Sequence, residues 1–282
     1  MNEEIVVLYS GGTDSTCCAA LMAGKFSRLH LLSYNRFGLF GINNIKTNVS
    51  RLKDKFGENK FIHKDLNIDK LFKKVSYSRY FYNIRNYGFF VLSTCGLCKL
   101  TMHLRTLIYC LDEGVKNVCD GSNKNMKFFP GQMKIVIEEI KRMYSEYGIN
   151  FMTPVYELNH PENLGWAAKT GLSNINIMNE KEVNFKNSSD SCFTTGQMLK
   201  NMGIFDSDNL KGTSLDKKMQ ARCFQLVLFN IFLYGYFLPA YGESLYFKVC
   251  LDFYKDKIKY FKHFIDEYVK KGRESRLGVC LF

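Results

Sequence analysis

The sequence predicts an α/β fold: a parallel sheet of about five strands from Met1 to near Tyr156, then a mostly helical region. Three observations carry that prediction. Short apolar runs alternate with helical stretches through the first half of the chain. The first apolar run ends on a glycine pair that opens a helix, and strand patterns disappear beyond Asn159. The expected organisation is therefore a nucleotide-binding α/β domain over 1–157 and a helical region over 158–282.

The first strand is Ile5–Tyr9, a continuous apolar run of the kind buried on both faces of a parallel sheet. It stops at Ser10-Gly11-Gly12. Asp14 to Gly24 then reads as a helix rich in small residues that can lie close to a sheet. Leu29–Tyr34 is a second strand, Asn43–Phe56 an amphipathic helix and Lys60–His63 a third strand. A helix-rich stretch dense in Tyr and Phe spans Ile68 to Phe90. Another helix runs from Cys95 to Glu113, where Gly114 ends it. Val115–Cys119 is a strand that closes on Asp120-Gly121-Ser122-Asn123, Met133–Tyr147 a helix, and Thr153–Tyr156 an extended piece. The Asn-rich segment from Asn174 to Ser191 reads as a long loop. Leu215–Tyr236 and Phe247–Val269 are the long helices of the second half.

Of the 282 residues, 46% are hydrophobic and 4 are proline, which excludes a disordered, collagen-like or mucin-like chain. The net charge of +12 favours polyanionic partners, although a Lys-rich surface without a partner has the same balance. The acidic start, with no secretory pattern, predicts a cytoplasmic protein whose 10 cysteines are thiols, ligands or catalytic groups rather than a disulfide frame. Cys223–Tyr241 is as long as a membrane span, but Gln225, Asn230, Gly235 and Pro239 interrupt it. A buried helix is the expectation there, and no membrane partner.

Ser10-Gly11-Gly12-Thr13-Asp14-Ser15 is the sharpest signal in the chain. Glycines after a buried strand let successive N–H groups point into one anion-binding concavity, and a helix N-terminus adds favourable partial charge. Ser10, Thr13 and Ser15 add hydroxyl donors, and Asp14 is a candidate Mg2+ ligand. The alternative is a glycine turn with Asp14 as a helix cap. This string resembles the signature of the PP-loop (N-type) ATP pyrophosphatases, a superfamily that includes tRNA thiolases and the GMP and NAD synthetases.

That resemblance spans Ile5 to Asn123 and implies a HUP-type Rossmann-like domain, with helices on both faces, that splits ATP into AMP and pyrophosphate. Ser10, Gly11, Gly12, Thr13, Asp14 and Ser15 would hold the departing phosphates while a substrate oxygen is adenylated. Ser33 falls where family members contact adenine. Gly121 lies in a stretch similar to the second nucleotide loop, though the usual acidic residue after it is replaced by Lys124-Asn125, which puts a role for Asp120 in doubt.

Cys95-Gly96-Leu97-Cys98 admits a redox dithiol, half a zinc site or two iron–sulfur ligands. The five histidines are scattered, so a second metal-ligand pair is missing. Cys95, Cys98 and a later cysteine resemble the three-cysteine set of cluster-dependent tRNA thiolases. The resemblance implies a [4Fe-4S] cluster on Cys95, Cys98 and Cys192, with Cys223 the competitor for the third place. Cys98 and Cys192 would be catalytic together with Asp14; if no cluster forms, a persulfide on these cysteines carries the sulfur. Cys17, Cys18, Cys110, Cys119, Cys250 and Cys280 are read as packing residues.

Lys70, Lys73, Lys74, Arg79, Arg85 and Lys99 are interleaved with Tyr77, Tyr80, Tyr82 and Tyr87. This mixture suits phosphate contacts and base stacking, or equally a helical pair with inward aromatics. The expected function is ATP-dependent sulfur transfer to a tRNA base or a small nucleotide-like metabolite, with ATP and Mg2+ bound. Sulfide or a cysteine desulfurase would be the sulfur source, and a homodimer is among the expected partners. The alternatives are an amide-forming synthetase using ammonia and a nucleotide-binding regulator without turnover.

Overall fold

The computed structural model describes residues 3–88, 95–158, 194–208 and 218–281. Five strands form one parallel sheet: β1 (Glu4–Leu8), β2 (Arg28–Asn35), β3 (Phe61–Asn67), β4 (Asn117–Asp120) and β5 (Asn150–Met152). Their order across the sheet is β3-β2-β1-β4-β5, and every neighbouring pair is parallel. The chain thus winds outward from β1 in one direction and then returns to continue on its other side. The switch falls between β1 and β4, the crevice where open α/β sheets bind ligands.

The apolar run of β1 is buried on both sides because successive residues face opposite layers. Ile5, Val7 and Tyr9 join Leu29 and Leu31 in a core closed by α1 (Thr13–Ala23), α2 (Ile45–Phe56) and α7 (Thr195–Asn201). Val6, Leu8, Leu32 and Tyr34 face the opposite layer. There they pack with α3 (Asp69–Tyr77), α5 (Leu97–Glu113), α6 (Lys134–Ser145) and the long α9 (Leu238–Lys271). Cys17, Cys18, Ala19 and Ala20 give α1 the small buried face that the sheet requires. The C-terminal helix is part of this core: Tyr246, Cys250, Phe253, Phe261 and Ile265 are wholly buried in it.

The helix-rich aromatic stretch after β3 is a pair of helices, α3 and α4 (Tyr80–Tyr87). Several local expectations change. The last strand is Asn150–Met152, and 153–158 is turn, because the chain leaves the sheet edge at Pro154. Arg222–Cys223 is extended and pairs antiparallel with Leu39–Phe40. The apolar helix therefore begins only at Phe224, as α8 (Phe224–Phe232), and passes through a wider π-turn at Leu233–Phe237 into α9.

Nor is that helix buried all round. Phe229 and Leu233 are buried, whereas Phe224, Leu228, Phe232 and Tyr236, spaced four apart, form an exposed apolar stripe. By length and composition alone the stretch Phe224–Glu274 is apolar enough to cross a membrane. Cys280 is only partly buried, unlike the packing cysteines Cys17, Cys18, Cys110, Cys119 and Cys250. The predicted loop 174–191 lies outside the described residues.

Leu104, in the middle of α5 and wholly buried between the sheet and α9, is a direct test of this packing. Leu104→Ala is expected to cost about 2–5 kcal/mol, read from the shift in the urea unfolding midpoint.

Candidate active site

The loop between β1 and α1 sits at the carboxyl edge of the central strand. Gly11 has φ +78°, a conformation that side chains with a Cβ rarely adopt, and Ile45 and the Met219 carbonyl press against it. Gly12 precedes the helix, so the first N–H groups of α1 have no acceptor within the helix and point toward the crevice end. Asn48 of α2 donates from Nδ2 to the Gly11 carbonyl at 2.7 Å, fixing the turn from the other side. Within the loop the Ser10 and Ser15 hydroxyls lie 3.1 Å apart, and Ser15 Oγ donates to the Gly12 carbonyl at 3.1 Å.

The loop after β4 closes on this one. A Cβ on Gly121 would stand 2.6 Å from the Ser15 nitrogen, so only glycine admits such an approach of two backbones. Asn123 Nδ2 donates to Asp14 Oδ2 at 3.0 Å, and Thr195 Oγ1 donates to Asp14 Oδ1 at 2.8 Å. Thr195 is placed by a reciprocal cap at the start of α7, in which Thr194 and Gln197 satisfy each other's backbone N–H. Asp14 is thus oriented by two elements far apart in sequence. It is not the helix cap: the N-cap is Gly12, and Asp14 lies in the first turn.

Asp120, whose role the sequence left in doubt, is 1% exposed and pairs with Lys99 Nζ at 2.7 Å. Its carboxylate also accepts from the Ser122 N–H and hydroxyl. Burial alone would raise this carboxyl, but the Lys99 charge and hydrogen bonds from Lys99 and Ser122 outweigh burial and hold it below the usual value. His103, which is buried against Tyr144 and Phe151, is lowered to about 3 by burial and by the Lys99 charge, and so is neutral at physiological pH. Ser33 is buried, with its hydroxyl committed to the Tyr9 carbonyl at 3.0 Å and to His63 Nε2 at 2.9 Å. Its side chain ties strands together at the position expected to meet adenine.

The thiols gather next to this crevice. Cys95 and Cys98 open α5, and the short ladder with Leu39–Phe40 brings Cys223 to the same place. Between them lies Arg36, 4% exposed, just past β2. Its Nε donates to Cys98 Sγ at 2.9 Å, and one terminal nitrogen reaches Cys223 Sγ at 3.7 Å and Gln225 Oε1 at 2.5 Å. Its other terminal nitrogen donates to the Phe37 carbonyl, and its plane lies over the Phe72 ring. Burial pushes the Cys98 thiol up, and Arg36 pulls against it.

The expected third cysteine, Cys192, lies outside the described residues, whereas Cys223 shares Arg36 with Cys98. Among the described residues no group of three or more His, Cys, Asp or Glu side chains is placed to hold a metal ion. With a guanidinium nitrogen against the Cys98 sulfur, the described thiols do not fit a [4Fe-4S] centre. Asp14, in contrast, is the kind of carboxylate that accompanies Mg2+ beside phosphates.

Arg36, Asn48 and Gln220, whose Oε1 lies over Gly12, escape the sequence reading. Single polar residues in unremarkable strings give no signal. Thr195 could have been found from the Thr194–Gln197 capping pattern before a helix.

No protein-family model and no curated protein matches the chain. Among solved structures it is similar to one described as a predicted subunit of tRNA methyltransferase from Methanocaldococcus jannaschii. That chain is 20% identical, with 79% of this chain and 96% of the other covered at a TM-score of 0.36.

Lys99→Met is expected to leave Asp120 as a buried carboxylate without its cation and to cost about 3–5 kcal/mol. Because the folded carboxyl lies below its unfolded value of 3.8, its stabilisation is complete above that pH and is lost as pH falls through the folded value. Acid unfolding followed by circular dichroism should therefore begin at higher pH in Lys99→Met than in the parent chain.

Proposed function

We propose that this chain is an ATP pyrophosphatase-type enzyme that adenylates a substrate oxygen and replaces that oxygen with sulfur. The observation that supports the first half is the glycine loop at the sheet's switch point, with Asp14 oriented by Asn123 and Thr195. The loop N–H groups and the Ser10 and Ser15 hydroxyls are suited to the β- and γ-phosphates. Asp14 would hold Mg2+, which supplies charge neutralisation on the phosphates. The substrate oxygen attacks the α-phosphorus, the α–β bridging bond breaks, and pyrophosphate leaves with the electron pair. Positioning and charge stabilisation are the protein's contribution to that step.

Sulfur would come from Cys98 as a persulfide. Its outer sulfur attacks the activated carbon, a C–S bond forms, and the C–O bond breaks as AMP leaves. Cys223 then attacks the Cys98 sulfur, releasing the thiolated product and leaving a Cys98–Cys223 disulfide that an external dithiol must reduce. The pairing of both thiols with Arg36 supports this choice of partner over Cys192. For the acceptor, a net charge of +12 and exposed Tyr77, Phe81 and Tyr82 beside Arg79 suit a polyanion such as tRNA, or a nucleotide-like metabolite.

ATP labelled at the α-phosphate should yield AMP and pyrophosphate in the presence of acceptor, and Asp14→Ala should lower that rate roughly a hundred-fold or more. Formation of ADP and orthophosphate instead would refute the reading. Cys98→Ser should still adenylate but release no thiolated product. Full turnover by that variant would favour amide formation with ammonia.

A further inference from the structure

We propose that Arg36 takes the place of a metal among Cys95, Cys98 and Cys223, making a metal-free thiol–guanidinium site in which Arg36 is the positioning residue for Cys98. Cys98's part as sulfur carrier rests on the function proposed above; the guanidinium's place does not. A guanidinium is charged at every accessible pH, and burying one requires a compensating partner. The groups around Arg36 that favour its cation are Cys98 first, then Cys223 and Cys95. Each polar arm of the fork is used: Nε on Cys98, one terminal nitrogen on Cys223 and Gln225, the other on the Phe37 carbonyl. The Phe72 ring covers its face, with the guanidinium carbon 4.8 Å from the ring centre. Cys95 completes the group, its sulfur 4.0 Å from the Gln225 carbonyl.

A metal centre on these three sulfurs would need the volume between them, and the cation already stands there. The chemistry such a site supports is sulfane exchange. The Cys98 sulfur attacks the outer sulfur of a polysulfide, and a new S–S bond forms on Cys98 as the donor's S–S bond breaks. The shortened donor leaves with the electron pair and takes up a proton. No external oxidant or reductant enters that step. Arg36 contributes by holding the attacking sulfur and stabilising its negative charge.

Two measurements on the full-length protein, neither using ATP, test this apart from the adenylation reading. In the first, anaerobic protein is incubated with iron and sulfide and its iron content and charge-transfer absorption are read. The parent chain should take up no stoichiometric cluster, and one that is lost in Cys98→Ser would overturn the proposal. In the second, metal-free protein is given inorganic polysulfide, and intact mass with peptide mapping follows sulfur gain. One added sulfur is expected on Cys98. Its rate should fall roughly ten-fold or more in Arg36→Met, as loss of one charged hydrogen bond implies, and recover in part in Arg36→Lys. No uptake on Cys98, an unchanged rate in Arg36→Met, or an Arg36→Lys rate no better than Arg36→Met would each overturn it. Should Arg36→Met fail to fold by circular dichroism, the Arg36→Lys rate against the parent decides: it should be lower, and equality overturns the proposal.

Discussion

The close approach of two backbones, Gly121 against Asp14 and Ser15, is the constraint on which the carboxyl edge of this protein depends. It ties the ends of β1 and β4 together at the one point where the winding of the sheet reverses. With that distance set, Asn123 can reach Asp14, and the first turn of α1 faces the crevice rather than a neighbouring loop. A side chain at position 121 would push the loops apart and leave both the aspartate and the helix N-terminus without their geometry.

One helix end then serves two sites. Cys98 and Lys99 are consecutive on the first turn of α5, where a step of one residue rotates the side chain by about 100°. Cys98 turns to Arg36, and Lys99 turns to Asp120. The thiol site and the glycine crevice are therefore held at a fixed spacing by a single rigid element whose far side is locked into the core by Leu100, Leu104 and Leu107. Both partners are buried charges, so each contact is costly to break and neither site can shift alone.

The sheet was legible because its strands are continuous apolar runs and its helices show one apolar face, signals that survive in a single sequence. The glycine loop was legible because Gly11, Gly12 and Asp14 are adjacent in the chain. What the sequence hid is what tertiary contact supplies. Arg36 stands alone between Asn35 and Phe37, and nothing local marks it as the centre of three thiols drawn from residues 95, 98 and 223. The same holds for Thr195, which reaches Asp14 across more than half the chain. The apolar helix misled for the opposite reason: its composition is that of a core, but a stripe spaced by four residues stays outside.

Met219 and Gln220 lie directly on Gly11 and Gly12, a contact that joins parts of the chain roughly two hundred positions apart. During synthesis the sheet and its glycine turn can form long before the covering segment has left the ribosome. For that interval the loop is open on the side that Gln220 later occupies. The glycine turn is thus made well before its cover, and this side of the crevice closes only once residues 219 and 220 have joined it.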